Sequence, residues 1–166
     1  MSIGRFYGGV AALLTYPPTR QYLLLQRAPE KDFGAGAWEC VTGRVDQGEG
    51  FEDALRREVA EEVSVRDFQI DFIVGTTHFY RGQERPEDEL IGVVYCCSIA
   101  DPGAIRLSPE HTAHHWLTAV EAYEFLTAAN PGTTWMKRVI QRAEAIRLLT
   151  PAALLDFCQQ HGFELG

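Results

Sequence analysis

Positive charge is scarce in this chain: 15 Lys and Arg stand against 23 Asp and Glu, a net charge of -8 over 166 residues. Such a surface repels duplex nucleic acid and anionic lipid, so neither is expected as a partner. Long apolar runs are also missing. The longest charge-free stretch, between Arg5 and Arg20, is shorter than the roughly 20 residues of a membrane helix, and Pro17-Pro18 interrupts its end. No small-residue cleavage site follows it, so it reads as a strand rather than a signal peptide. Cys40, Cys96, Cys97 and Cys158 form no C-x-x-C pair, and the adjacent Cys96 and Cys97 point to opposite faces of a strand. Reduced thiols in a cytoplasmic protein are expected. G-x4-G-K-[ST], G-x-S-x-G and a complete G-x-G-x-x-G around Gly34 and Gly36 are all absent, which leaves kinase, serine hydrolase and dehydrogenase readings without support.

What is present is the balance of one globular domain, with 46% apolar and 23% charged residues and no repeat or linker. Tyr7–Tyr16 and Tyr22–Gln26 read as paired strands joined at Pro17-Pro18-Thr19, and Trp38–Val41 as a short buried strand. Phe68, Ile70, Phe72 and Val74 alternate in a half-buried strand that runs towards Tyr80. Leu90–Ala100 is continuously apolar and is expected to be a central strand buried on both faces. After a short strand over His115–Leu117 the chain is expected to be helical from about residue 118, over Val120–Ala129, Thr134–Leu149 and Ala152–His161.

The chemistry concentrates in Gly43–Val65. Seven acidic and three basic residues there give a net -4, half of the excess charge of the chain. From Gly50, a glycine N-cap, the spacing predicts a helix to Val63 with Leu55, Val59 and Val63 on its core stripe and Glu52 and Asp53 in its first turn. Glu58, Glu61 and Glu62 then cluster on the adjacent arc. Like charges three and four apart repel, and a divalent cation between them reverses that penalty; hard oxygen ligands favour magnesium or manganese. The bland alternative is a solvated acidic face.

The ordered set of Gly43, Glu49, Arg57-Glu58-Val59, Glu61-Glu62 and Val65 resembles the Nudix box, G-x5-E-x7-R-E-U-x-E-E-x-G-U with U aliphatic. Ser64 stands at its second glycine, a departure that bears on how the helix ends and removes no carboxylate. The resemblance implies an α/β (α+β) fold, an α/β/α sandwich with a central mixed sheet, formed by residues 1–166 as a single domain. It also implies metal-assisted attack of water on the phosphorus of a phosphoric anhydride in a small-molecule substrate. Glu58 and Glu62 are the implied metal ligands, Glu61 a further or water-mediated one and the Gly43 carbonyl a backbone ligand. Arg57 is expected to pair with Glu49 and hold the metal face rigid. Glu58 and Glu110 are both candidates for the base that takes the water proton. Glu110 is otherwise an exposed loop residue, and His111, His114 and His115 are read as surface histidines rather than zinc ligands.

Val41-Thr42 before Gly43, Glu110-His111 followed by Trp116, and Thr134-Trp135 followed by Lys137-Arg138 resemble the branch of that family that hydrolyses dihydroneopterin triphosphate and deoxynucleoside triphosphates. Arg27, Lys137 and Arg138 are candidates for contact with polyphosphate, and Trp135 or Phe33 for stacking on a base or pterin. Hydrolysis of ADP-ribose or a dinucleoside polyphosphate, to which Tyr80 bears a slight likeness, and a non-catalytic binding module stay open at this point, as does the oligomeric state.

Overall fold

The computed structural model describes residues 5–31 and 34–166; Phe33 lies outside them. Strand β1 (Tyr7–Tyr16) organises the rest. It pairs in parallel with β6 (Glu89–Ser98) from Tyr7↔Leu90 to Thr15↔Ser98. Its first half also pairs antiparallel with β4 (Val41–Arg44), and its last two residues with β2 (Gln21–Arg27). Strand β5 (Gln69–Tyr80) closes one edge against β6, while β3 (Trp38–Glu39) and β7 (His111–Thr118) both pair with β2.

Alternation along these strands builds two cores. Val10, Ala12 and Leu14 of β1, with Leu23 and Leu25 of β2, face helix α1 (Phe51–Val63). Ala11, Leu13, Tyr22 and Leu24 face the other way, onto α2 (Ala119–Phe125) and α3 (Pro131–Leu149). Cys97 and Cys96 fall into the first and second core respectively, as the period of two requires. A seven-stranded mixed sheet between helical layers is the expected sandwich. Helix α4 (Ala152–His161) follows at the C-terminal end. No helix among the described residues is long and apolar enough to cross a membrane.

Several boundaries differ from the sequence reading, each for a local reason. The segment 38–41 splits at Cys40 into β3 and β4, because β3 follows β2 whereas β4 has moved onto β1. Strand β6 is not buried on both faces throughout: Ile91, near its start, is 41% exposed. Strand β7 extends back to His111, since its whole length pairs with β2 although its side chains are mostly polar. Helix α2 stops at Phe125, and α3 begins three residues early because Asn130 accepts the Thr133 N–H at 2.8 Å and Pro131 occupies the first turn.

Candidate active site

Strand β4 brings Gly43 under helix α1, and the loop from Val45 to Gly50 carries Glu49 back towards Arg57. The guanidinium of Arg57 is the hub: Nε and Nη2 donate to the two Glu49 oxygens at 2.8 Å each, Nη2 also to the Arg44 carbonyl, and Nη1 to Glu58 at 2.8 Å and Glu61 at 3.3 Å. This pairing, with the Asp46 N–H on Glu49, holds the Glu49 carboxyl down at a pKa of about 2. The expected Arg57–Glu49 clamp is thus present and bidentate.

Gly43 is required by space. A Cβ built on it meets Glu58 Cδ at 1.8 Å and Cγ at 2.2 Å, so the Glu58 side chain lies directly across this backbone. Glu58 also accepts the Arg44 N–H at 3.2 Å.

The three helix carboxylates are not equivalent. Their side chains are 60%, 14% and 4% exposed for Glu61, Glu58 and Glu62 respectively. Glu58 and Glu62 are separated by about 40° around the helix, whereas Glu61 and Glu62 are separated by about 100°. Glu62 therefore shares the edge of the buried stripe with Val59 and Val63, and Glu61 turns to water. Burial first, then the charges of Glu39, Glu58 and Glu110, push the Glu62 carboxyl up to about 9 against the hydrogen bond from the Thr42 backbone.

The segment before β7 is tied to the end of α1, with Ser108 N–H donating to the Glu62 carbonyl at 2.8 Å and Arg106 N–H to that of Val63 at 3.0 Å. Glu110 and His111 are thereby drawn to the glutamates. Glu110 sits on the rim, ion-paired with Lys31 at 2.5 Å, which holds its carboxyl below the usual range. His111 is not a surface residue. Its ring is fully buried, with Nε2 3.4 Å from Glu39 and 3.9 Å from Glu62, because β7 reaches back further than its polar sequence suggests. His114 and His115 are exposed, and His115 stacks on Trp38.

Glu39 was not singled out from sequence. It sits between Arg27, at 2.6 Å, and His111. A charged residue inside a strand read as buried is the signal that could have found it. Arg27 is consequently 12% exposed and committed to this carboxylate. Trp135, Lys137 and Arg138 lie on α3, across the sheet from α1. Trp135 donates to Thr77 at 3.1 Å and lines a surface pocket with Thr134 and Arg138, while the Lys137 ammonium lies over the Tyr123 ring. The structure therefore gathers Glu49, Arg57, Glu58, Glu61, Glu62, Gly43 and Glu110 in one region and keeps the α3 residues apart from it.

Among the described residues, no three His, Cys, Asp or Glu side chains already form a metal cage, since Glu58 and Glu61 both lean on Arg57. The donor set nevertheless fits a hard cation. Its side-chain donors are carboxylates, its members repel, and Glu62 Oε2 is buried without a hydrogen-bond partner among the described residues.

Ser64 ends α1 in the left-handed region, at φ 62° and ψ 19°, with its N–H on the Ala60 carbonyl at 3.1 Å. A glycine adopts this conformation without strain, which is the physical reason for one at this place in the box. Ser64→Gly is expected to raise stability by up to about 1 kcal/mol in urea unfolding, the relief of strain exceeding the added freedom of the unfolded chain. Lower stability in the variant would mean that the serine side chain contributes more than its strain costs.

Over residues 6–143 the chain matches the family model described as the NUDIX domain. The dihydroneopterin triphosphate diphosphatase of Escherichia coli strain K12 is 45% identical over 118 residues, covering 63% of this chain and 73% of that protein. The asymmetrical bis(5'-nucleosyl)-tetraphosphatase of Mus musculus is 28% identical over 135 residues, covering 81% of this chain and 85% of that protein. The octanoyltransferase of Myxococcus xanthus is 29% identical over 109 residues, 66% of this chain, but the chain spans only 29% of its length. Among solved structures, the MutT protein from Methanosarcina mazei Go1 superimposes with a TM-score of 0.68 at 21% identity, covering 87% of this chain and 98% of that one. Because the family match runs through the sheet and both helical layers rather than through the α1 segment alone, the chain belongs to the NUDIX domain family.

Proposed function

We propose that the protein is a divalent-metal-dependent pyrophosphohydrolase that cleaves the phosphoric anhydride of a pterin or deoxynucleoside triphosphate by attack of water on phosphorus. The observation that carries this reading is Glu62, a buried carboxyl with an oxygen left unsatisfied and three other acids pressing on it. In a chain with no cation to hold, such a group only destabilises the fold. On this reading Glu58, Glu62 and the Gly43 carbonyl hold magnesium or manganese, with Glu61 as a further ligand or a contact through water. When bound, the ion neutralises phosphate oxygens and lowers the pKa of water.

The chain's own groups do the rest. Arg57, gripped by Glu49, fixes the direction of Glu58. Glu58 and Glu110 are the two candidates for the group that takes the water proton: Glu110 is held on the rim by Lys31 at 2.5 Å, and Glu58 lies on the metal-binding face itself. Arg27, held by Glu39, contributes to the wall of the site. The pocket of Trp135 and Arg138, with Lys137 on the same helix, lies across the sheet from this cluster and is given no part in the reaction. Similarity to the Escherichia coli diphosphatase supports the triphosphate class, and similarity to the mouse tetraphosphatase supports dinucleoside polyphosphates as a second reading.

The deciding experiment is a substrate panel of pterin triphosphate, deoxynucleoside triphosphates, dinucleoside polyphosphates, ADP-ribose and sugar nucleotides, read by phosphate or pyrophosphate release. Turnover of a pterin or deoxynucleoside triphosphate is expected, abolished by EDTA and restored by magnesium. Turnover confined to dinucleoside polyphosphates would favour the second reading. Inactivity across the whole panel, with either metal, would leave a non-catalytic binding module.

A further inference from the structure

Helix α1 begins without a cap of its own. Its N-cap is Gly50, which has no side chain to accept the first N–H groups, and a frayed first turn would loosen the adjoining Glu49. The acceptor comes from the other end of the chain. Glu164 takes the Phe51 N–H at 2.8 Å on Oε1 and the Glu52 N–H at 3.1 Å on Oε2. Glu52 returns the contact: its Oε1 accepts the N–H groups of Phe163, at 2.6 Å, and Glu164, at 3.1 Å. Two carboxylates thus each satisfy two backbone donors of the opposite segment, at the positive end of the helix dipole.

The rest of the tail is shaped for this docking. Gly162 closes α4 at φ 78°, a conformation that turns the chain back towards Glu52. Phe163 packs on the α1 core and meets the Tyr95 ring edge-on at 6.2 Å. Gly50 leaves the room required, since a Cβ there would lie 2.6 Å from Glu164 Oε2. Residues 162–164 lie beyond the family match, which ends at 143.

We propose that Glu164 is a positioning residue that caps helix α1 from the C-terminal segment of the same chain and, through Glu49 and Arg57, sets the metal-binding face. The chain of contacts is short. The cap holds Phe51 and Glu52; Glu49, two residues before Phe51, is thereby kept in register with Arg57; Arg57 in turn holds Glu58. The consequence for metal binding rests on the functional reading above, whereas the cap itself does not.

The test uses Glu164→Ala in the full chain, with amide exchange measured on metal-free protein and magnesium affinity by calorimetry. Exchange at Phe51 and Glu52 is expected to accelerate about tenfold and magnesium affinity to fall about fivefold. KM for the triphosphate at saturating magnesium should stay within about twofold of the parent value, because the tail touches no substrate residue. Gly50→Ser in the Glu164→Ala background supplies a local neutral cap, now with space for its side chain, and should restore both exchange and affinity. Unchanged exchange in Glu164→Ala overturns the cap. Faster exchange with unchanged affinity overturns the link to the metal face, and so does failure of Gly50→Ser to restore affinity once it has restored exchange. If the parent protein takes up magnesium but hydrolyses no anhydride, the functional reading fails while both arms still decide the role of Glu164.

Discussion

Glu62→Gln is expected to abolish nearly all turnover and, in the presence of a chelator, to make the protein more stable above neutral pH. The two effects have one cause. With its carboxyl pushed up to about 9 by burial and by Glu39, Glu58 and Glu110, the metal-free folded state keeps a proton that the unfolded chain has released. The folded state then binds more protons than the unfolded one, so stability falls as pH rises from the ordinary carboxyl range towards 9. Glutamine is neutral throughout and nearly the same shape, so the variant should lose this slope, matching the parent near pH 5 and exceeding it near pH 8. On the proposed function, turnover should fall at least ~100-fold, since the variant would lack a ligand to a cation that contributes several kcal/mol to the transition state. Urea unfolding across that pH range with EDTA, beside kinetics with magnesium, checks both halves. Full activity in the variant would remove Glu62 from the metal site, and parallel pH profiles would remove the buried charge as the cause.

The second large effect is expected from Gly43→Ala. Its new methyl group would fall on Glu58 Cδ and Cγ, so the carboxylate arm must leave its place across the β4 backbone. Glu58 then loses the Arg44 N–H and its hold on Arg57 Nη1, and the metal face opens. Activity should drop by more than about tenfold, and overpacking should cost about 1–3 kcal/mol in unfolding free energy. The distinguishing measurement is magnesium affinity: a variant with parental affinity would show that Glu58 can be displaced without consequence for the ion. Restoration of activity by shortening the side chain, as Glu58→Asp in the Gly43→Ala background, would tie the loss to this one clash.

The fold was legible where the apolar pattern is strong. The alternation of Phe68, Ile70, Phe72 and Val74 and the stripe of Leu55, Val59 and Val63 each specify a period and a buried face, and both are found as read. Legibility failed where a polar sequence hides a paired strand. His111–Thr118 contains three histidines, two of them exposed, and only its pairing with β2 makes it eight residues of sheet. It failed again at Asn130-Pro131, a start signal that lies in the gap between the two expected helices.

Residue spacing along one helix was enough to place Glu58, Glu61 and Glu62 on one arc, because helical geometry converts sequence distance into spatial distance over a few turns, whereas Glu49, Arg57 and their pairing followed from the resemblance to the Nudix box. Everything that joins distant segments waited for the tertiary structure. Glu39 and His111 beside Glu62, Lys31 on Glu110, and Glu164 on the first turn of α1 depend on strand register and chain reversal. Burial, too, was decided there: the sheet beneath α1 makes Glu62 a dry, repelled acid and leaves its neighbour Glu61 in water, a difference of solvation that no local pattern of charges encodes.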